Sequence, residues 1–295
     1  MEPLVSVIVT AYNAEEFIER ALDSLLCQTY PHIEILVVDD GSTDSTLTIL
    51  DRYQPRVRIL RQPNSGVCVA RNRGAAETRG SLLAFLDADD VWVPEKVATQ
   101  VAAFGKFPHL GAVAGNFDEI DADDRPLTRV MKRPSHLYGT PRNIHRELLE
   151  HDNFLAISAV MISRAAFEAS GGFFDEHRML SADYDLWIRM SERFEFLMLP
   201  DILCHYRVLP VSALHGSLEK EYGAQLNILD RHRARFTESQ YRERLAQLYR
   251  DWADSALYER DRSAWKAWRG AVRRDPLHLG IWMMGLRAAA RRLVG

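Results

Sequence analysis

The stretch LLAFLDADDVW, residues 82–92, decides the fold. Its apolar run reads as a β-strand, and it ends in three aspartates within four positions, Asp87, Asp89 and Asp90. Carboxylates this close repel one another by roughly 1 kcal/mol each even in a wet site. Something must compensate them, either a polar turn with a helix-capping aspartate or a divalent cation.

Working outward, VSVIVTAY (5–12) is a short run rich in β-branched residues and reads as a buried strand. AEEFIERALDSLLCQ (14–28) has its apolar residues at helical spacing, with Asn13 as N-cap. IEILVVDDGS (33–42) is a second strand, STLTILDRYQ (45–54) a helix and VRIL (57–60) a third strand. VCVARNRGAAETRG (67–80) is a helix closing at Gly80 as its C′ glycine. Strand and helix thus alternate up to residue 90 with short connections, which demands right-handed crossovers and a mostly parallel sheet. In such sheets ligands sit beyond the carboxyl ends of the strands. Thr10–Asn13, Asp39–Ser42, the loop 61–66 and Asp87–Asp90 therefore define one edge.

Further on, a helix starts with Pro94 at its first position, and 110–121 is a strand. Residues 122–143 are a polar loop, and 154–173 a strand, a short helix and a Gly–Gly turn. Residues 181–194 form a helix with Trp187 on its core face, and 196–208 return as strand. Beyond about 215 the pattern is helical only. Two helices joined near Arg260–Ser263 and stopped at Pro276 resemble a single tetratricopeptide-like hairpin.

DxD at 87–89 suits a hard cation. Alternate residues on extended backbone place one carboxylate on the metal and leave the other for a ribose hydroxyl, while waters and phosphates complete the shell. Asp40 can accept the ring N–H of a pyrimidine, whereas Asp44 caps the next helix and Asp90 is structural. The loop NSGVCVARNRG (64–74) brings Gly66 close to a nucleotide, with Arg71 and Asn72 facing the same region. Its spacing is neither GxGxxG nor a P-loop.

Three segments carry a family resemblance: VSVIVTAYNAEEFIERALDSLLCQTYPHIEILVVDDGSTDST, NSGVCVARNRGAAETRGSLLAFLDADDVWVPEKV, and GGFFDE followed by SADYDLWIRM. Over roughly residues 4–210 they resemble the family 2 glycosyltransferases of the GT-A fold. The resemblance implies an α/β fold with a mostly parallel, Rossmann-like sheet flanked by helices, followed by an all-helical appendage. The expected domains are 1–214, with a nucleotide-sugar half to about 110 and an acceptor half from 111, and a helical region 215–295. It further implies an inverting transferase using a nucleotide-sugar donor and Mg²⁺ or Mn²⁺. Carried over by position, Thr10, Tyr12, Asn13, Asp40, Gly66, Arg71, Asp87 and Ala88 bind the donor, Asp89 ligates the metal and Asp183 is the catalytic base. Asp185 is left as a helix N-terminal charge.

Departures from the family pattern are equally specific. Ala182 stands where an acid usually precedes the base, and Leu209 stands where a histidine often follows YR. His205 and His215 lie nearby but do not match that position, so no histidine is assigned as a ligand and whether one completes the metal site stays open. GGFFDE carries an extra phenylalanine in the acceptor-side turn.

Composition is that of a globular protein, 47% hydrophobic and 26% charged. Cys27, Cys68 and Cys204 form no CxxC pair, which points away from zinc and disulfides and toward a reducing cytosol. MEPLVSVIVTAYN lacks the basic start of a signal peptide and reads as a strand. The net charge of −4 is uneven: residues 231–295 hold 15 Lys+Arg against 7 Asp+Glu, an excess of +8 that leaves −12 elsewhere. No nucleic acid is expected. The basic end is a solvated helical face or rests on anionic lipid or an acidic partner, and its last stretch LHLGIWMMGLRAAARRLVG (277–295) either packs on the body or docks on a membrane surface. The partners expected are the nucleotide-sugar, favoured as UDP-linked, and a glycan or lipid-linked acceptor, in the cytoplasm, either free there or peripheral at the inner face of the membrane. Two rivals remain. A nucleotidyltransferase should carry a glycine-rich basic loop after the first strand, which TAYNAEE lacks; a non-catalytic sugar-nucleotide-binding module would bind donor without turnover.

Overall fold

The computed structural model describes residues 2–127, 135–151, 153–173, 181–209, 218–258, 261–276, 280 and 282. The segment 277–295 apart from two residues, the 214/215 boundary, His215, Arg260 and the last three residues of GGFFDE lie outside the described residues.

The chain runs β1 (Val5–Ala11), α1 (Ile18–Leu26), β2 (Ile33–Asp39), α2 (Thr46–Asp51), β3 (Arg58–Arg61), α3 (Val67–Ala76), β4 (Leu82–Asp87), β5 (Val91–Trp92) and α4 (Lys96–Lys106). It continues through β6 (Leu110–Ile120), α5 (His145–Glu150), β7 (Val160–Ser163), α6 (Arg164–Ala169), α7 (Ala182–Ser191) and β8 (Glu195–Arg207). Three helices follow, α8 (Leu218–Arg231), α9 (Glu238–Tyr258) and α10 (Ala264–Arg274). Two compact units are formed, one from residues 1–148 with 153–209, the other from 149–152 with 210–295.

The first unit is built on one sheet of order β3-β2-β1-β4-β7-β6-β8-β5. β1–β4 pair in parallel, as do β6 and β8, while β7 runs antiparallel to β4 and β6, and β5 antiparallel to β8. The expected mostly parallel α/β sheet is present, with these antiparallel strands added. β1 and β4 are apolar and buried along nearly their whole length, as strands covered on both faces must be. α1 presents Ile18, Ala21, Leu22 and Leu25 to the same core, at helical spacing. Trp187, placed in the core from its spacing, is fully buried.

Three local expectations are corrected. Asn13 does not cap α1, which starts at Ile18 after an uncapped Phe17; its Oδ1 accepts the Thr43 N–H at 2.8 Å instead. α3 ends at Ala76, so Gly80 is not its C′ residue. Gly80 is there for a close backbone approach: a Cβ would stand 2.6 Å from Ser6 N and 2.7 Å from Leu4 O. α4 begins at Lys96, two residues after Pro94, because Pro94 and Glu95 lie in a preceding turn.

The second unit is a helical assembly around Trp252, which stacks on Tyr222 with centroids 5.8 Å apart and donates Nε1–H to Ser263 Oγ at 2.9 Å. α10 packs on α9 through Ala264, Ala267, Gly270 and Ala271, residues small enough for close approach. Asp185 was left as a simple helix charge, but it is fully buried in the first unit and ion-paired with Arg189 Nε at 2.8 Å.

One buried group disturbs the core. Lys96 is fully buried, its Nζ donating to Gln100 Oε1 at 2.8 Å and lying 3.7 Å from the centroid of the Trp92 ring. Burial pushes its ammonium down to about 7. Between about pH 7 and the ~10.4 of an unfolded lysine, only the unfolded chain holds this proton, so stability rises with pH there by about 1.4 kcal/mol per unit. Below about pH 7 both states are protonated and the contribution is flat. Lys96→Met should remove that rise, a change read from urea midpoints between pH 6 and pH 9; an unchanged slope would place the ammonium in contact with water.

Candidate active site

Strand register brings the predicted residues to one edge. Thr10 pairs with Asp87 across β1 and β4, and Ala11 with Asp39 across β1 and β2. Asp40 N then donates to Ala11 O at 2.8 Å, so the chain leaves β2 alongside the end of β1. Tyr12 projects from this edge, 48% exposed, beside the half-buried Thr10. Asn13 takes φ 49° and ties the β1 end to the DGST turn, accepting from Thr43 N and donating its own N–H to Ser42 Oγ at 3.0 Å.

The buried Asp40 carboxylate is fully engaged within the chain. Oδ1 accepts from Gln62 Nε2 at 2.7 Å and Ser65 N at 2.9 Å, and Oδ2 from Gly66 N at 2.8 Å. It therefore shapes the loop before α3. Gly66 has φ 93°, a backbone state that suits glycine, and it starts α3 at the right angle. Asp39, named at this strand end in the sequence but given no role of its own, accepts from Ser42 N through Oδ2 at 3.3 Å, while its buried Oδ1 has no hydrogen-bond partner among the described residues.

α3 carries two splints one residue apart. The buried Arg71 Nη2 donates to Asp87 Oδ1 at 2.5 Å, and its guanidinium lies 5.3 Å from the Phe173 ring centroid. Asn72 grips the Phe173 backbone, donating to its carbonyl at 2.7 Å and accepting from its N–H at 2.9 Å. Gly172 is pressed against Asn72, where a Cβ would stand 2.8 Å from Oδ1. The Gly–Gly turn is held from its other side by Arg189, whose Nη2 donates to Gly172 O at 2.7 Å and Nη1 to Ser170 O.

The DxD turn has its own framework. Asp87 N donates to Ser158 Oγ at 3.2 Å, Ala88 is buried and Asp89 is half-buried. Asp90 is 1% exposed, with Oδ1 accepting from Arg207 N at 2.9 Å. Burial, aided by the charges of Asp89 and Asp87, holds its carboxyl well above the usual range. Arg207 Nε donates to Asp89 O at 2.7 Å, Nη1 to Asp121 O at 2.5 Å and Nη2 to Asp124, and its guanidinium lies over Phe17. Neither Ser158 nor Arg207 was foreseen, although Arg207 sits in the YR pair that sequence reasoning had noted.

Asp183 opens α7. Its Oδ2 accepts from Asn153 Nδ2 at 3.0 Å and its Oδ1 from Tyr184 N at 2.9 Å. Burial raises its pKa; Arg71, Asn153 and the Tyr184 N–H pull it down only in part, and Asp87 adds to the rise. Arg71 in turn stays firmly charged: burial opposes its charge, but Asp87 and Asp183 outweigh that. Asp87, Arg71 and Asp183 thus form one electrostatic cluster.

Among the described residues, no group of three or more His, Cys, Asp or Glu is arranged to hold a metal ion. Asp87 and Asp89 offer hard carboxylate oxygens, a donor set that fits Mg²⁺ or Mn²⁺ when diphosphate oxygens and water fill the other positions. A separate cavity of about 580 Å³ lies against α1, where His205 Nδ1 meets Asp118 Oδ1 at 2.6 Å; none of the predicted site residues lines it.

Comparison with known proteins agrees with this fold. Residues 6–171 match the family described as Glycosyl transferase family 2. An uncharacterized glycosyltransferase of Rickettsia prowazekii is 31% identical over 223 residues, covering 73% of this chain and 65% of that protein. Chondroitin synthase of Pasteurella multocida is 31% identical over 210 residues, covering 70% of this chain but only 21% of that protein. The chain thus spans 65% of the length of the first of these relatives and much less of the second. The solved structure of S. aureus TarS 1–349 in complex with UDP superposes with a TM-score of 0.60 at 22% identity, covering 83% of this chain and 70% of that one; the likeness shows a shared fold. With the family matched over more than half of its length, the chain belongs to glycosyltransferase family 2.

Proposed function

We propose that the protein is an inverting glycosyltransferase. It moves a sugar from a nucleoside-diphosphate sugar, UDP-linked by preference, to an acceptor hydroxyl in polysaccharide, lipid-linked or other cell-surface glycan synthesis. The observation that carries this reading is the Asp87–Arg71–Asp183 cluster, which joins the DxD strand end to a single aspartate with a raised pKa. Chondroitin synthase and UDP-bound TarS, as relatives in sequence and fold, support the substrate class. The domain reading remains a transferase body over about 1–214, with donor and acceptor halves meeting near 110, and a helical region beyond.

In this reading Thr10, Tyr12, Asn13, Asp40 and Gly66 form the base and ribose side of the donor site, directly or through the loop that Asp40 shapes. Arg71 holds Asp87, and Ala88 keeps the turn compact. Asp183 removes the proton from the acceptor hydroxyl, whose oxygen attacks the anomeric carbon as the nucleoside diphosphate departs. One base is enough for a single displacement, and the oxygen–carbon bond formed replaces the bond to diphosphate on the opposite face. Asn153 and the Tyr184 N–H fix which way the Asp183 carboxylate points. Asp89 would hold a Mg²⁺ or Mn²⁺, which when bound would supply charge neutralisation for the leaving diphosphate. The protein acts on the cytoplasmic side, at the inner face of the membrane. Among the described residues no helix is long and apolar enough to cross it.

Calorimetric titration with UDP, GDP and dTDP, each with Mn²⁺ and with chelator, tests the donor site. One nucleotide should bind in a metal-dependent way, and Asp89→Ala should abolish that dependence. Asp183→Asn should keep nucleotide binding yet lower transfer from labelled nucleotide-sugars into a membrane glycan extract by about 10²–10⁴-fold. Undiminished transfer by this variant would remove Asp183 from the chemistry, and binding without any transfer by the unaltered chain would favour a non-catalytic module.

The pH dependence carries a sign. A base must be ionised, so transfer should fall as pH drops through the raised pKa of Asp183, above the ordinary aspartate range. Asn153→Ala removes a hydrogen bond that favours the ionised form, so the acid limb of kcat/KM should move to higher pH. A limb that stays in place would mean that another group sets it.

A further inference from the structure

α10 is amphipathic in an unusual sense. Ala264, Ala267, Gly270 and Ala271 face α9, while Lys266, Arg269 and Arg273 lie exposed along the outward side. At 100° per residue these three basic positions fall within about 60° of arc. Arg262 is exposed in the turn just before the helix. Lys266 is partly engaged, pairing with Glu219 at 2.5 Å, which leaves the arginines as the main outward charge.

Beside the basic stripe runs an aromatic one. Trp265 and Trp268 meet edge to face with centroids 5.4 Å apart, and Trp268 meets Trp282 at 5.8 Å. Trp282 is 44% exposed, a high exposure for the largest apolar side chain. Residues 261–295 carry 8 Lys+Arg against 2 Asp+Glu, so against a whole-chain charge of −4 the other residues carry −10. An anionic surface therefore repels most of the protein and attracts this part. Arginines at headgroup level with tryptophans at the edge of the acyl region are the side chains that suit a bilayer interface.

We infer that the outward face of α10, with Trp282 beside it, is a docking surface for an anionic lipid bilayer. The inference deepens the reading of a transferase working at a membrane, and it accounts for how such an enzyme reaches a lipid-linked acceptor. Docking itself needs no turnover.

The full chain is sedimented with vesicles of phosphatidylcholine alone and of phosphatidylcholine mixed with phosphatidylglycerol. Binding should require phosphatidylglycerol and weaken as salt is added. Each arginine near an anionic surface contributes about fivefold, so Arg269→Gln with Arg273→Gln should weaken binding about 25-fold. Arg56→Gln with Arg79→Gln removes the same charge from exposed positions in the other unit and should change binding less than twofold. Equal loss in both double variants, or equal binding to neutral vesicles, would overturn the inference. So would binding to soluble polyglutamate with none to vesicles, which would assign the face to an acidic macromolecule. UDP titration of the same preparations reads the donor site separately, so its failure would sink the proposed transferase and leave the vesicle result standing.

Discussion

Four aspartates, Asp87, Asp89, Asp90 and Asp183, crowd the end of one strand, and two buried arginines hold them there. Arg71 donates to Asp87 and lies within the field of Asp183. Arg207 takes the other side, binding the Asp89 carbonyl and offering its own N–H to Asp90. Neither arrangement is a cheap source of stability, because desolvating two charges cancels most of their attraction. What it does is forbid alternatives. Removing the Arg71 side chain would take the cation away from Asp87 and from the buried Asp183, a loss of about 3–5 kcal/mol; the Arg207 side chain holds the Asp89 and Asp121 carbonyls, while Asp90 depends on its backbone N–H. The site is thus specified by electrostatics before any donor arrives.

Topology explains why these groups can meet at all. β1, β2 and β4 run parallel, so their carboxyl ends make one edge. β7 runs the opposite way beside β4, so the chain entering β7 does so at that same edge. Ser158, just before β7, thereby reaches Asp87 N, and Asn153 reaches Asp183. β6 is antiparallel to β7 and parallel to β8, which restores the first direction and delivers Arg207, the last residue of β8, to the aspartates. A sheet parallel throughout would have put Ser158 and Asn153 at the far end. The reversed strand is what lets the second half of the unit close over the first.

The alternation of strand and helix up to β4 was legible because each element carries its own periodicity and the turns carry glycine and aspartate. The DxD turn and Asp183 were legible as a pattern of residue types along the chain. Arg207, Ser158 and Asn153 were not, since each acts across 30 or more residues and a lone arginine, serine or asparagine has no periodic signature. Asp185 misled for a related reason: its partner Arg189, one turn on, also reaches the Ser170–Gly172 turn, and only that packing buries the pair. Asn13 and Gly80 erred locally. Asn13 bonds across to the DGST turn in preference to its own helix, and Gly80 is dictated by the backbone of the β1 approach rather than by the end of α3.

The same cluster separates the tasks of its carboxylates. Asp87 receives a direct ion pair from Arg71, at 2.5 Å. Asp183 shares the field of Arg71, and among the described residues an amide and a backbone N–H are what its oxygens accept from. Burial therefore prevails at Asp183, and its affinity for a proton rises. Two aspartates thus face one arginine unequally, Asp87 through a direct hydrogen bond and Asp183 through its field alone. In the proposed mechanism it is Asp183, whose pKa burial raises, that takes the proton of the acceptor hydroxyl.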